Sequence, residues 1–219
     1  MKLLMQRLRI RFGRGEEIKF ISHLDIMRLW DRAFHRAGIP LAYSEGFNPH
    51  PKMSLAVPLA VGVTSEAELM DISVTRPVSP HWFTQAVSQQ LPAGITILGV
   101  FQTALTLPSL QSQVRYAEYR VQLETTEAAA KDIEKAVPAL LSAEHLPWHH
   151  KRDTGERTYD LRTLIDDLRL VNLSNSGCTL EMRLRCDSNG AGRPEQVVLA
   201  LGFAQRPQSI HRTRLTLAV

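Results

Sequence analysis

An α+β protein of two similar halves is what the sequence predicts, and three observations carry that expectation. Short segments alternate apolar and polar residues with the period of a half-buried strand; amphipathic segments of helical period fall between them; and the order strand, helix, strand, strand, helix, strand occurs twice. The chain has 219 residues and 44% hydrophobic content, which suits one large domain or two units of about 100 residues each with packed cores.

In the first half, Arg7, Arg9 and Arg11 alternate with Leu8, Ile10 and Phe12, which makes residues 7–12 a strand with one buried and one wet face. Gly13 to Gly15 read as a turn. Ser22, with Asp25 three places on, opens a helix that carries Ile26, Leu29, Trp30, Ala33 and Ala37 on one face and stops at Gly38 and Pro40. Residues 41–44 and 52–57 are short strands around a turn-rich loop, and 58–66 is a turn region. Met70, Ile72 and Val74 mark a third strand, Ser79 and Pro80 start a second helix, and 95–101 closes the half.

Residues 102–112 are small and polar, as a linker would be. The order then returns: strand at 115–123, helix at 127–142, extended stretches at 148–151 and 158–161, strand at 179–185, helix at 194–201, strand at 210–217. Residues 161–170 fit a short helix equally well. Such βαββαβ order, with one-sided strands, predicts two ferredoxin-like halves with antiparallel sheets, at 1–104 and 114–219, joined by a linker at 105–113.

Cys178 and Cys186 are the only cysteines, so a disulfide framework, a thiolate zinc site and a cysteine-held iron–sulfur cluster lack ligands in this chain. No metal or cofactor is implied by its motifs. The net charge of +4 leans toward an acidic partner such as RNA. The start of the chain is interrupted by Lys2 and followed by arginines, unlike a secretory leader, and no apolar run is long enough to span a bilayer, so a cytoplasmic protein is expected.

Three groups of residues are candidates for chemistry. The outward parity of the strands carries Arg7, Arg9 and Arg11 in the first half and Arg120, Arg183 and Arg185 in the second, with Arg212 and Arg214 on the last strand. This face suits phosphate. Tyr116 is the one aromatic read at outward parity, and the competing reading pairs these arginines with Asp71, Glu118 and Glu181. The loop around Gly46, Phe47, Asn48, His50 and Lys52 brings a sharp turn, a hydrogen-bonding amide, an imidazole and a cation close together between two prolines; the competing reading is a rigid turn packed by Phe47. His23 begins the first helix, where amide donors favour anions; a lone histidine there is also common without a role. The run His149, His150, Lys151, Arg152 reads as a solvated basic segment. The sequence has no P-loop, no Rossmann glycine pattern, no zincin helix and no nucleophile elbow.

Lys19-Phe20-Ile21-Ser22-His23-Leu24-Asp25, the stretch from Ala42 to Lys52 with its Gly-Phe-Asn-Pro-His-Pro-Lys core, and Pro58, Leu59, Gly62 and Val63 resemble an uncharacterised radical SAM-associated family, a domain of unknown function. That resemblance implies a partner: a radical SAM protein with a cobalamin-binding region, encoded beside such chains or fused to them. The expectation from both lines is a non-catalytic accessory module that binds RNA or an RNA-containing substrate. Its alternatives are a metal-independent endoribonuclease using His23 or His50 with Lys52, and a purely protein-binding scaffold.

Overall fold

A computed structural model describes residues 5–124, 127–152, 155–174 and 177–218. The chain is mixed α+β and divides into two compact units, Met1–Val114 and Arg115–Val219. No helix among the described residues is long and apolar enough to cross a membrane.

In the first unit the elements are β1 (Gln6–Arg14), α1 (His23–Arg36), β2 (Met53–Leu55), β3 (Thr64–Val74), α2 (Pro80–Ser88), β4 (Ile95–Thr103) and a helical turn, α3 (Leu110–Gln113). The strands pair antiparallel in the order β2, β3, β1, β4. Both longer helices pack on one face of this sheet. Leu8, Ile10 and Phe12 of β1 are sealed there with Ile26, Trp30 and Phe34 of α1 and Phe83 and Val87 of α2. Full burial of each such side chain stabilises by about 1.5–3 kcal/mol, and the rings of Phe12, Trp30, Phe34 and Phe83 form a chain with centroids 5.0 to 5.7 Å apart.

Local chemistry fixes the ends of these elements. The Ser22 hydroxyl accepts the Asp25 amide at 3.3 Å to cap α1. Gly38, at φ +67, turns the chain out of α1 in a conformation that side chains disfavour. Ser79 caps α2 in the same way through the Trp82 amide, with Pro80 at the first helical position.

Three expectations are corrected in this unit. First, β1 continues through the anticipated turn to Arg14, which is buried and donates to the carbonyls of Ile18, Lys19 and Ile21. Second, β3 begins at Thr64 rather than near Met70; the buried polar residues Thr64, Ser65 and Glu68 hid it from a hydrophobic reading. Third, residues 41–44 form only isolated bridges, Leu41 to Val74 and Tyr43 to Pro51. Within 105–113, α3 places Leu110 in a buried position.

The second unit contains β5 (Val114–Glu124), α4 (Glu127–Ser142), β6 (Pro147–Arg152), β7 (Gly155–Asp160), β8 (Ile165–Ser174), β9 (Gly177–Asp187), β10 (Gly190–Ala191), α5 (Pro194–Ala200) and β11 (Ser209–Leu217). One edge of β9 pairs antiparallel with β5 and the other with β8 and β10, while β11 lies beside β5. The hairpin of β6 and β7 is a separate two-stranded sheet.

Residues 161–170, which fit a helix by spacing, split into a 3-10 turn at Leu161–Leu164 and the start of β8. Along β9, Cys178, Leu180, Met182, Leu184 and Cys186 are buried and the residues between them face outward. Both cysteines are free, and burial pushes the Cys178 thiol above its ordinary pKa.

Candidate functional site

The face of the first unit that α1 and α2 leave uncovered is built by residues of one parity. Across β1 and β3, Arg7 faces Ser73, Arg9 faces Asp71 and Arg11 faces Leu69, while Ser54 of β2 faces Asp71. Arg9 closes a two-pronged ion pair with Asp71, Nε to Oδ1 at 2.8 Å and Nη2 to Oδ2 at 3.0 Å, with the side chains only 12% and 7% exposed. Arg9 is therefore a structural group: it is removed from the ligand-facing set, and it neutralises the carboxylate in its row.

Beside that pair lies a cleft of about 240 Å³ lined by Arg7, Lys52, Ser54, Asp71, Ser73 and the Ser109–Leu110 turn. Arg7 is steered into it by its Nη1, which donates to the Leu107 carbonyl at 2.9 Å and, more weakly, to the Pro108 carbonyl at 3.5 Å, leaving Nε and Nη2 unspent. Lys52 arrives because its amide bonds the Ala42 carbonyl at 2.7 Å and its own carbonyl accepts the Ser73 amide at 2.9 Å. The Lys52 ammonium and the hydroxyls of Ser54 and Ser73 have no partner among the described residues. Two cations and two hydroxyls line one hollow, and the nearby carboxylate is already paired, an arrangement whose charge suits an anion.

The loop preceding Lys52 is closed at its base. Ser44 donates its amide to the His50 carbonyl at 2.8 Å, and the His50 amide donates to the Ser44 hydroxyl at 2.9 Å. Gly46 sits at φ +122, which its lack of a Cβ permits. Phe47 is 110% exposed, so it packs nothing, and the reading of a turn held by that ring is corrected. Asn48 and His50 are exposed beside it.

Tyr43, at the loop's root, is tied to the last turn of α1 by its hydroxyl, 3.0 Å from His35 Nε2; burial raises its pKa. His23 occupies the first position of α1, half-buried. The length of that helix, about 20 Å at 1.5 Å per residue, stands between His23 and the root of the loop that holds His50, so the two imidazoles do not share a site.

In the second unit four outward arginines meet carboxylates, while Arg214 of β11 is exposed and lines a cleft with Glu118 and Arg183. Arg120 pairs with Glu181 at 3.1 Å, Arg183 with Asp166 at 3.2 Å and Arg185 with Asp187 at 2.8 Å, while Arg169 pairs with Asp167 at 3.0 Å. The Arg183 guanidinium covers the Tyr116 ring at 4.2 Å. Burial pushes the Asp187 carboxyl up, but the hydrogen bonds from Arg185 and the Asn189 amide, with the Arg185 charge and the Gly190 amide, hold it below the usual aspartate value. Arg212, expected on the outward face, is instead buried, with its Nη2 3.3 Å from the Tyr119 hydroxyl. Of the basic run on β6, His149 lies 3.2 Å from the Thr158 hydroxyl, and the side chains of His150, Lys151 and Arg152 lie outside the described residues.

One aromatic was missed by the parity reading. In β4, Arg11 pairs with Gly99 but Phe12 pairs with Ile97, so Leu98 is an extra residue in the ladder. The bulge reverses the faces: Ile95 and Ile97 turn to the core, and Gly99 and Phe101 turn to the open side, where Phe101 is 55% exposed.

The family described as uncharacterized protein conserved in bacteria (DUF2344) matches residues 7–194. The chain belongs to that family. No curated protein matches this DUF2344 member. Among solved structures, it resembles a chain in the crystal structure of a Cbf5–Nop10–Gar1 complex, at 9% identity and a TM-score of 0.52, over 95% of this chain and 48% of that one. A chain of the archaeal box H/ACA sRNP Nop10–Cbf5 complex matches at 10% identity and a TM-score of 0.47, over 95% and 48% of the two chains. This chain thus spans about half the length of both. The likeness is one of fold.

Proposed function

We propose that this DUF2344 protein is a non-catalytic binding module for RNA or an RNA-containing substrate, gripping the phosphate backbone in the cleft of Arg7 and Lys52. The observation that carries this reading is the convergence of those two cations, 45 positions apart in sequence, on one hollow with Ser54 and Ser73. Phosphate contacts of this kind position a nucleic acid and supply most of its affinity. Both units take part as ferredoxin-like halves, near 1–104 and 114–219 with 105–113 between them; the strand orders β2, β3, β1, β4 and β8, β9, β5, β11 support that description. The resemblance to radical SAM-associated proteins adds a radical SAM partner, to which the module would present its RNA in the cytoplasm.

Anisotropy titration of labelled RNA with the purified chain at several salt concentrations tests the reading. Affinity falls linearly on a log–log plot, and Arg7→Ala or Lys52→Ala weakens it while lowering the slope by about 1 each. Affinity indifferent to salt, or to both substitutions, defeats the proposal.

A further inference from the structure

Resting on that reading and narrowing its ligand, we infer that the open face of the first unit takes single-stranded RNA, with one unstacked base lying on the Phe101 ring. The ring is held in place: a Cβ added at Gly99 would come within 2.9 Å of Phe101 Cζ and 3.0 Å of Cε2, so the side chain folds back over the Gly99 backbone. With 55% of the residue still exposed, the ring is held in place and open to water. Leu98, also exposed, extends its apolar rim.

Charge selects the occupant. Arg9 lies directly across the ladder from Phe101 and Arg11 directly across from Gly99, over which the ring sits. The Arg11 side chain is exposed, with no hydrogen bond or ion pair to a described residue. Arg7, two positions before Arg9 along β1, lines the cleft with Lys52. Two residues along a strand and one strand across amount to roughly 8 Å, so a ring, a free guanidinium and an anion hollow fall within the reach of neighbouring nucleotides. An apolar peptide strand docking on β4 would leave Arg11, Arg7 and Lys52 without counter-charge; a sugar–phosphate chain supplies it.

The geometry also selects single strands. A π-face is used by a base only when that base has left its stack, and double-stranded RNA keeps its bases stacked and offers its shallow groove and phosphates instead. In duplex binding Phe101 has nothing to do.

The test compares the full chain binding a labelled RNA of about 12 nucleotides, single-stranded or annealed to its complement, a length within the usual single-strand site sizes. The single strand binds more tightly, Phe101→Ala lowers that affinity about tenfold and leaves the duplex unchanged, Phe101→Trp retains it, and Phe101→Leu, apolar without a π-face, behaves like the alanine variant. Equal binding of both RNAs, or a Phe101→Ala protein with full single-strand affinity, overturns this inference while the salt-dependent phosphate reading stands. If Phe101→Ala instead abolishes self-association on a sizing column with no change in RNA affinity, the platform belongs to a second copy of the chain and the inference is wrong. Binding to neither RNA removes both readings. Unchanged melting temperatures for the Phe101 variants show that affinity alone was altered.

Discussion

The open sheet faces of the two units have the same strand order and similar numbers of arginines, yet they differ in what opposes those arginines. In the second unit Arg120, Arg169, Arg183 and Arg185 each meet a carboxylate, and Tyr116 lies under a guanidinium. Among the described residues of the first unit's open face, Arg9 is the arginine matched this way; Arg7, Arg11 and Lys52 keep donors to spare and Phe101 is bare. An alternating arginine strand is thus not in itself a binding surface. The residue across the ladder decides whether the charge is spent inside the protein or remains available to a ligand.

The comparison is broken most forcefully at Asp71. Asp71→Ala leaves Arg9 nearly buried without its partner and is expected to cost about 3 kcal/mol or more in denaturant unfolding; a loss under about 1 kcal/mol would class the Arg9 pair with the exposed pairs of the second unit. Next in size, removing the opposing charges there by combining Asp166→Asn with Glu181→Gln frees Arg183 and Arg120, and RNA affinity at low salt rises about tenfold, or about 1.4 kcal/mol. No gain would mean that the second face is silent for reasons other than charge pairing. Third, Glu181→Ala alone changes stability by less than about 1 kcal/mol, because Arg120 is 53% exposed and its pair is screened by water.

The smallest effect appears only with pH. The native Asp187 carboxyl titrates below its unfolded value of about 3.9, so its contribution is fully present above that value and is lost as pH falls through the lower native one. The stability gap between the wild-type chain and Asp187→Asn, measured by urea unfolding, is therefore open at neutral pH and closes in acid. A gap that stayed constant would show that Arg185 gains nothing from the carboxylate's charge.

Strong local signals made much of this architecture legible. Alternation found β1 and β9, and Ser22 and Ser79 marked the starts of α1 and α2. What escaped depends on register and on single insertions. Leu161, Leu164, Ile165 and Leu168 share a helical spacing, yet the first two belong to a 3-10 turn and the last two to a strand, all buried for different geometric reasons.

Asp71 and Glu181 were foreseeable partners, but Arg183 and Arg185 found Asp166 and Asp187 in place of Glu118. The outward turn of Phe101 rests on one extra residue at Leu98, which no two-residue period records. The meeting of Arg7 with Lys52 depends on three strands in register, which spacing along the chain does not encode.

The loop closed by Ser44 and His50 has a practical corollary. Its apex is the kind of site that a chymotrypsin-like protease finds before any other in a folded protein, since Phe47 stands clear of every neighbour. A cut after that residue would leave both new ends tied down, through the Ser44–His50 bonds, the Tyr43–Pro51 bridge and the Ala42–Lys52 bond. The nicked protein would elute as one species under native conditions and separate into two fragments on a denaturing gel.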